Sequence, residues 1–121
     1  MQFTQKNFHK KLLGRVGEKR AVKYLKSIGY EILETNFTTD FGEIDIVAKD
    51  KDFIVFVEVK TRSSVAFGSP SEAVNAKKRE KYKNLASLYL LKSKTPDHCC
   101  RFDVIEIVKS EINHIINAFL V

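Results

Sequence analysis

The chain has 121 residues, a formal net charge of +6, 44% apolar and 30% charged residues. That composition excludes global disorder, and the length suits one domain, 1–121, able to bury a core without covalent staples. No apolar run reaches the roughly 18 residues of a membrane span, the N-terminal stretch lacks the apolar core of a signal peptide, and a disulfide between the adjacent Cys99 and Cys100 would be strained, so a reduced, cytoplasmic protein is expected.

The first segment reads as a helix over roughly Phe8 to Ile28. Leu13, Gly17, Ala21, Tyr24, Leu25 and Ile28 fall on one face at helical spacing, with Lys11, Arg15, Lys19, Lys23 and Lys26 beside it. Glu18 projects at the border of the two, and Gly29 is a stop signal. Three strand-like runs follow: Tyr30 to Phe37, Glu43 to Ala48, and the strongly β-prone Asp52 to Lys60, with Asp50-Lys51 as a hairpin link. Ser69-Pro70-Ser71-Glu72 carries the cap, first-position proline and acid that start a second helix, expected to run to about Lys92. Its buried positions are expected to include Val74, Leu85, Leu88 and Leu91, with Lys77, Lys78, Arg79, Lys81 and Lys83 mostly outside. Arg101 to Val108 and His114 to Leu120 read as closing strands. The order α-β-β-β-α-β-β belongs to an α/β fold.

Charge is unevenly spread. Residues 1–30 balance at +7, 31–59 at −6, 60–94 at +7 and 95–121 at −2. Basic blocks flanking an acidic one suit a polyanion held against a cation, because carboxylates alone repel phosphate. Lysine-rich, solvated helix faces would give the same totals.

The acidic block ends in Glu58-Val59-Lys60. Alternation puts Glu58 and Lys60 on one face, continuing Ile54 and Phe56. If the hairpin loop is residues 50 and 51, residue 45 pairs with 56, and Asp45 shares the face of Glu58 one diagonal step away. A three-residue loop without a bulge would reverse that. Two close carboxylates repel unless a cation offsets their charge, and Mg²⁺ takes one or two carboxylates plus waters and phosphate oxygens. Lys60 could then orient or deprotonate a water, the Val59 carbonyl is a further candidate ligand, and Glu18 a third carboxylate. The spacing alone equally fits a partly exposed Glu58–Lys60 ion pair.

Gly14-Arg-Val-Gly-Glu18, Phe41-Gly-Glu-Ile-Asp-Ile-Val-Ala48, Phe56-Val-Glu-Val-Lys-Thr-Arg62, Phe67-Gly-Ser-Pro70 and Arg101-Phe-Asp-Val104 occur in that order across nearly the whole chain. Together they resemble the YraN-like family of small bacterial proteins. That family is similar to archaeal Holliday-junction resolvases and to the restriction-endonuclease-like, PD-(D/E)xK nucleases. The resemblance implies a mixed central sheet flanked by helices, with a metal site on a strand hairpin. It implies that Asp45 and Glu58 are metal carboxylates, Lys60 the motif lysine and Glu18 the helix acid of the resolvase-like branch. One departure stands out: Thr38 and Asp40 occupy places where the family tends to carry arginines.

The expected activity is metal-dependent hydrolysis of DNA phosphodiesters, selecting structure more than sequence. Glu18, Asp45, Glu58 and Lys60 carry it, with Mg²⁺ or Mn²⁺ on Asp45, Glu58 and Val59. Arg15, Lys19, Arg62, Lys77 and Lys78 are the candidate backbone contacts. A homodimer would let one-site domains cut both strands. The alternatives are a non-catalytic nucleic-acid-binding module and a protein-interaction role. Ser69 and Ser71 read as caps, with phosphate binding as a second possibility. Asp103 reads as a partner of Arg101 or an outer acid of the site. His98, Cys99 and Cys100 lack the spacing of a zinc site, and His9 and His114 read as structural. Phe and Tyr are expected in the core, and no base-reading aromatic motif is visible.

Overall fold

The structure, a computed structural model, describes residues 5–62, 76–95 and 97–119, with side chains from residue 13 onward. Helix α1 (Gln5–Ser27) leads into strands β1 (Glu31–Thr39), β2 (Gly42–Asp50) and β3 (Phe53–Arg62). Helix α2 (Ala76–Lys92), β4 (Cys100–Val108) and β5 (Glu111–Ile115) complete the order. One sheet runs β1-β2-β3-β4-β5. Its only parallel pair among the described residues is β3/β4, whose connection contains α2. This is the mixed α/β sheet, in the element order expected from the sequence.

The two helices cover opposite faces, which is why β3 reads as a continuous apolar run. Ala21 and Leu25 of α1 pack on Ile46, Ala48, Val55, Val57, Ile105 and Ile107. Leu85, Ala86, Tyr89 and Leu90 of α2 pack on Phe37, Ile44, Val47, Ile54, Phe56 and Phe102. The expected burial of Leu88 and Leu91 is corrected: both are exposed. The buried stripe follows 85, 86, 89 and 90, and that phase turns Leu91 to the far side of the helix. The start of this helix at Ser69–Glu72, and Val74, lie outside the described residues.

Ile28 is also exposed, not buried. Helix α1 stops at Ser27, Gly29 takes φ 97, and the Gly29 and Tyr30 N–H groups donate to the Lys26 and Leu25 carbonyls at 3.1 and 3.0 Å. This Schellman end carries Ile28 outward while Tyr30 returns to pack near Leu25. The last strand also lies earlier than His114 to Leu120. Lys109 at φ 55 starts a tight turn that pairs Val108 with Glu111, and Asn117, also at φ 55, follows the strand end.

The β2–β3 hairpin turns at Lys51-Asp52, not Asp50-Lys51. Asp50 pairs with Phe53, and Lys51 adopts φ 55. The slide of two residues preserves the faces of the paired stretch, which ends at Ile46↔Val57, so Asp45 and Glu58 lie just beyond it.

Asp103 is buried at 1% exposure and belongs to the frame. Arg101 donates to it from Nε at 2.9 Å and Nη2 at 3.1 Å, His114 Nε2 lies 2.7 Å away, and the Asn117 N–H donates at 3.0 Å. Arg101 also reaches Asp50 and the Tyr30 hydroxyl, and His114 Nδ1 meets the Tyr24 hydroxyl at 3.1 Å. The network ties α1, β2, β4 and β5 together. Both Asp103 and His114 thus have structural partners. Among the described residues no helix is long and apolar enough to cross a membrane.

Candidate metal centre

Strands β2 and β3 pair from Asp50↔Phe53 as far as Ile46↔Val57, then part. At the fork the Asp45 carboxylate replaces a backbone acceptor: the Val59 N–H donates to its Oδ2 at 2.8 Å. The alternation of β2 breaks here. Ile44 joins the α2-side core and Ile46 the α1-side core, although strict alternation would put both on one face. On β1, Asn36 is in register with Asp45 between the pairs Thr35↔Ile46 and Phe37↔Ile44, and it adopts φ 53. The local distortion of both strands turns Asp45 into the fork.

Glu18 of α1 and Glu43 of β2 close on it. One carboxylate oxygen from each of Glu18, Glu43 and Asp45 lies within 4.8 Å of the others. With its amide oriented to satisfy both neighbours, Asn36 Nδ2 donates to Glu18 Oε2 at 3.1 Å and Glu43 Oε1 at 3.0 Å. The Thr38 hydroxyl adds a bond to Glu43 Oε2 at 3.3 Å. Burial pushes Asp45 up to about 7; Glu18, Glu58 and Glu43 add to the rise, and the Val59 N–H opposes it. Glu18 is raised too, by burial and then by Glu43, against the pull of Asn36 and Arg15.

Glu18 reaches this point because Gly17 lets α1 approach β3 closely. A Cβ at Gly17 would collide with the Thr61 hydroxyl. On β3, Glu58 and Lys60 share a face as alternation requires, and Glu58 Oε1 sits 2.9 Å from Lys60 Nζ. Glu58 Oε2 is buried and has no hydrogen-bond partner among the described residues. Tyr82 of α2 stands nearby. Its hydroxyl is held far above its usual range by burial, then by Glu58 and Asp45.

The residues singled out by sequence distribute as follows. Glu18 and Asp45 meet in the carboxylate cluster, and Glu58 lies near enough to raise Asp45 while pairing with Lys60. Val59 contributes its N–H to Asp45. Arg62 is drawn toward Glu106, Nε to Oε1 at 3.8 Å. Arg15 and Lys19 line an open pocket with Glu18, Val22, Thr35 and Asn36. Lys77 and Lys78 line another, with Phe41 and Lys81, on the α2 side. Ser69 and Ser71 lie outside the described residues. Sequence reasoning passed over Glu43, Asn36, Tyr82 and Phe41. Glu43 stands two residues before Asp45 on the same strand, but with alternation broken at this point that spacing does not place it beside Glu18. Phe41, 70% exposed, and Phe53, 42% exposed, depart from the expectation of core aromatics.

A hard divalent cation fits this donor set. The donors are carboxylate oxygens, and they repel one another in the absence of a cation.

The model of the uncharacterised protein family UPF0102 matches residues 17–107. The chain belongs to the UPF0102 family. That matched stretch contains every acid of the fork, together with Lys60. The UPF0102 protein of Caldanaerobacter subterraneus subsp. tengcongensis is 48% identical over 121 aligned positions, covering 94% of this chain and 99% of the relative. That of Alkaliphilus oremlandii is 53% identical over 115, covering 90% and 98%, and that of Clostridioides difficile 52% over 108, covering 88% and 95%. The YraN-like resemblance read from the motifs is therefore a family membership.

Proposed function

We propose that this UPF0102 chain is a metal-dependent endonuclease that hydrolyses DNA phosphodiesters in the bacterial cytoplasm, selecting structure more than sequence. One observation carries the reading: three acids, Glu18, Glu43 and Asp45, converge at a strand fork with the Glu58–Lys60 pair near enough to raise Asp45, at a cost to stability that a bare scaffold has no reason to bear. Asp45, Glu18, Glu43 and Glu58, with the Val59 carbonyl as a further ligand, would hold Mg²⁺ or Mn²⁺. Bound there, the cation would polarise the scissile phosphate and lower the pKa of a coordinated water.

The chain's own residues do the rest. Asn36 keeps Glu18 and Glu43 facing the fork, and the Val59 N–H fixes the Asp45 carboxylate. Lys60 is a fixed cation 2.9 Å from Glu58, placed to orient a water or to offset charge developing on the phosphate. Arg15 and Lys19 on α1, and Lys77 and Lys78 on α2, form basic borders on the two sides of the sheet for the DNA backbone. Where Thr38 stands in place of a family arginine, it bonds Glu43, so backbone contact falls to the helices. A homodimer would supply the second site for a second strand.

The test is cleavage of linear, flapped and four-way-junction DNA with Mg²⁺ or Mn²⁺. Cleavage that stops on chelation supports the proposal. Salt-dependent binding with no cleavage on any substrate or metal would favour a non-catalytic binding module, and no salt-dependent association would remove both.

A further inference from the structure

The turn Asp40–Phe41 between β1 and β2 lies against α2, two residues before the fork acid Glu43. Phe41 is 70% exposed, and the groove between it and α2 is lined by Lys77, Lys78, Glu80, Lys81 and Asn84. The ring does not hang on a loose loop. The Phe41 N–H donates to Thr39 Oγ1 at 3.0 Å, Thr39 pairs with Gly42, and Gly42 at φ 142 lies under the Lys81 side chain. The positive φ requires glycine at residue 42, and the Lys81 side chain passes directly over it.

A lone exposed ring needs no explanation. A ring on a hydrogen-bonded turn, beside lysines of a neighbouring helix, is different. Burying it against an apolar protein surface would take the Lys77 and Lys81 ammonium groups out of water. A nucleic-acid strand suits both: a base stacks on the ring, and the adjoining phosphates meet the cations. In intact duplex the bases are already stacked on one another, so the ring gains a partner only where a nucleotide is unpaired.

We propose that Phe41 is a stacking platform for an unpaired base of the substrate strand, with Lys77 and Lys81 holding the flanking phosphates. The site thereby takes nucleic acid carrying unpaired nucleotides in preference to intact duplex. This rests on the nucleic-acid reading above and adds the substrate class to it.

The chain contains no tryptophan, so Phe41→Trp introduces a single reporter. Its emission is followed, with EDTA present to prevent turnover, while labelled single strand, gapped duplex or blunt duplex is added and occupancy is read by anisotropy. At equal occupancy the single strand and gapped duplex quench the emission and blunt duplex does not. In the otherwise native chain, Phe41→Ala weakens single-strand binding roughly fivefold to a hundredfold and leaves blunt-duplex binding unchanged. DNA that binds without altering the emission overturns the stacking platform but leaves the nuclease reading standing. Equal quenching by blunt duplex overturns the preference. Emission that changes with protein concentration in the absence of DNA assigns the ring to a second copy of the chain. No association with any of the DNAs overturns this inference and the nuclease reading together.

Discussion

Replacing Asp45 with asparagine should stabilise the metal-free protein. Asp45 is raised from 3.8 to about 7, chiefly by burial and then by Glu18, Glu58 and Glu43. Its folded-state pKa therefore lies above the unfolded one, and the folded chain binds the extra proton between those values. Stability falls as pH rises through that window, and the full penalty is present above about 7. At about 1.4 kcal/mol per tenfold change in proton affinity, the ceiling is about 4 kcal/mol. Asparagine removes the charge, keeps an oxygen for the Val59 N–H, and offers an NH₂ group toward Glu18 and Glu43. Urea unfolding in EDTA should show Asp45→Asn gaining little at about pH 4 and several kcal/mol, on the order of the ceiling, at about pH 8. Adding Mn²⁺ should narrow the contrast. At a hundredfold excess over its Kd the ion adds about 2.7 kcal/mol to the native chain, with little effect on the variant. An Asp45→Asn protein less stable than the native one at about pH 8, or a gain that does not grow with pH, would refute the reasoning.

Asp103 has the opposite sign. Burial alone would raise it, but His114, Arg101 and the Asn117 N–H hold it below its ordinary value, so its contribution is present above the unfolded pKa and is lost as pH falls through the folded one. Asp103→Asn should cost about 3 kcal/mol at neutral pH in urea unfolding and much less in acid. Gly17→Ala should drive α1 away from Thr61, losing about 1 to 3 kcal/mol and weakening Mn²⁺ binding through the displaced Glu18, with part of both restored by Thr61→Ala in the same chain. Calorimetric titration with Mn²⁺ would measure that loss. Lys19→Ala should weaken binding of every DNA about equally and lower the salt slope by about one, as read from anisotropy at several salt concentrations.

Much of the site was legible because it rests on periodicity. Helical phase put Glu18 at the edge of the apolar face of α1, and strand alternation put Glu58 beside Lys60. The hairpin turns one residue later than expected, and because the pairing slides by an even number of residues the paired stretch keeps its faces, but Asp45 lies just past its end, where alternation no longer places it. What escaped depends on backbone states that side-chain type does not announce. Left-handed Lys51, Asn36 and Lys109 carry no glycine signal, yet they set the β2–β3 turn, the kink opposite Asp45 and the early start of β5. Glu43 was overlooked because its closeness to Glu18 follows from that kink and from the Asn36 bridge. Leu88 and Leu91 misled for another reason. Apolar identity suggested burial, whereas packing chose the stripe through Ala86, Tyr89 and Leu90.

The most direct test of the fork as a nuclease site is cleavage of one labelled branched DNA by the native chain, Asp45→Asn and Lys60→Ala, purified side by side and assayed with Mn²⁺. The account predicts that the native chain cuts, that EDTA stops it, and that both variants lose at least a hundredfold in rate while still binding the DNA. Cleavage undiminished in both variants would contradict it.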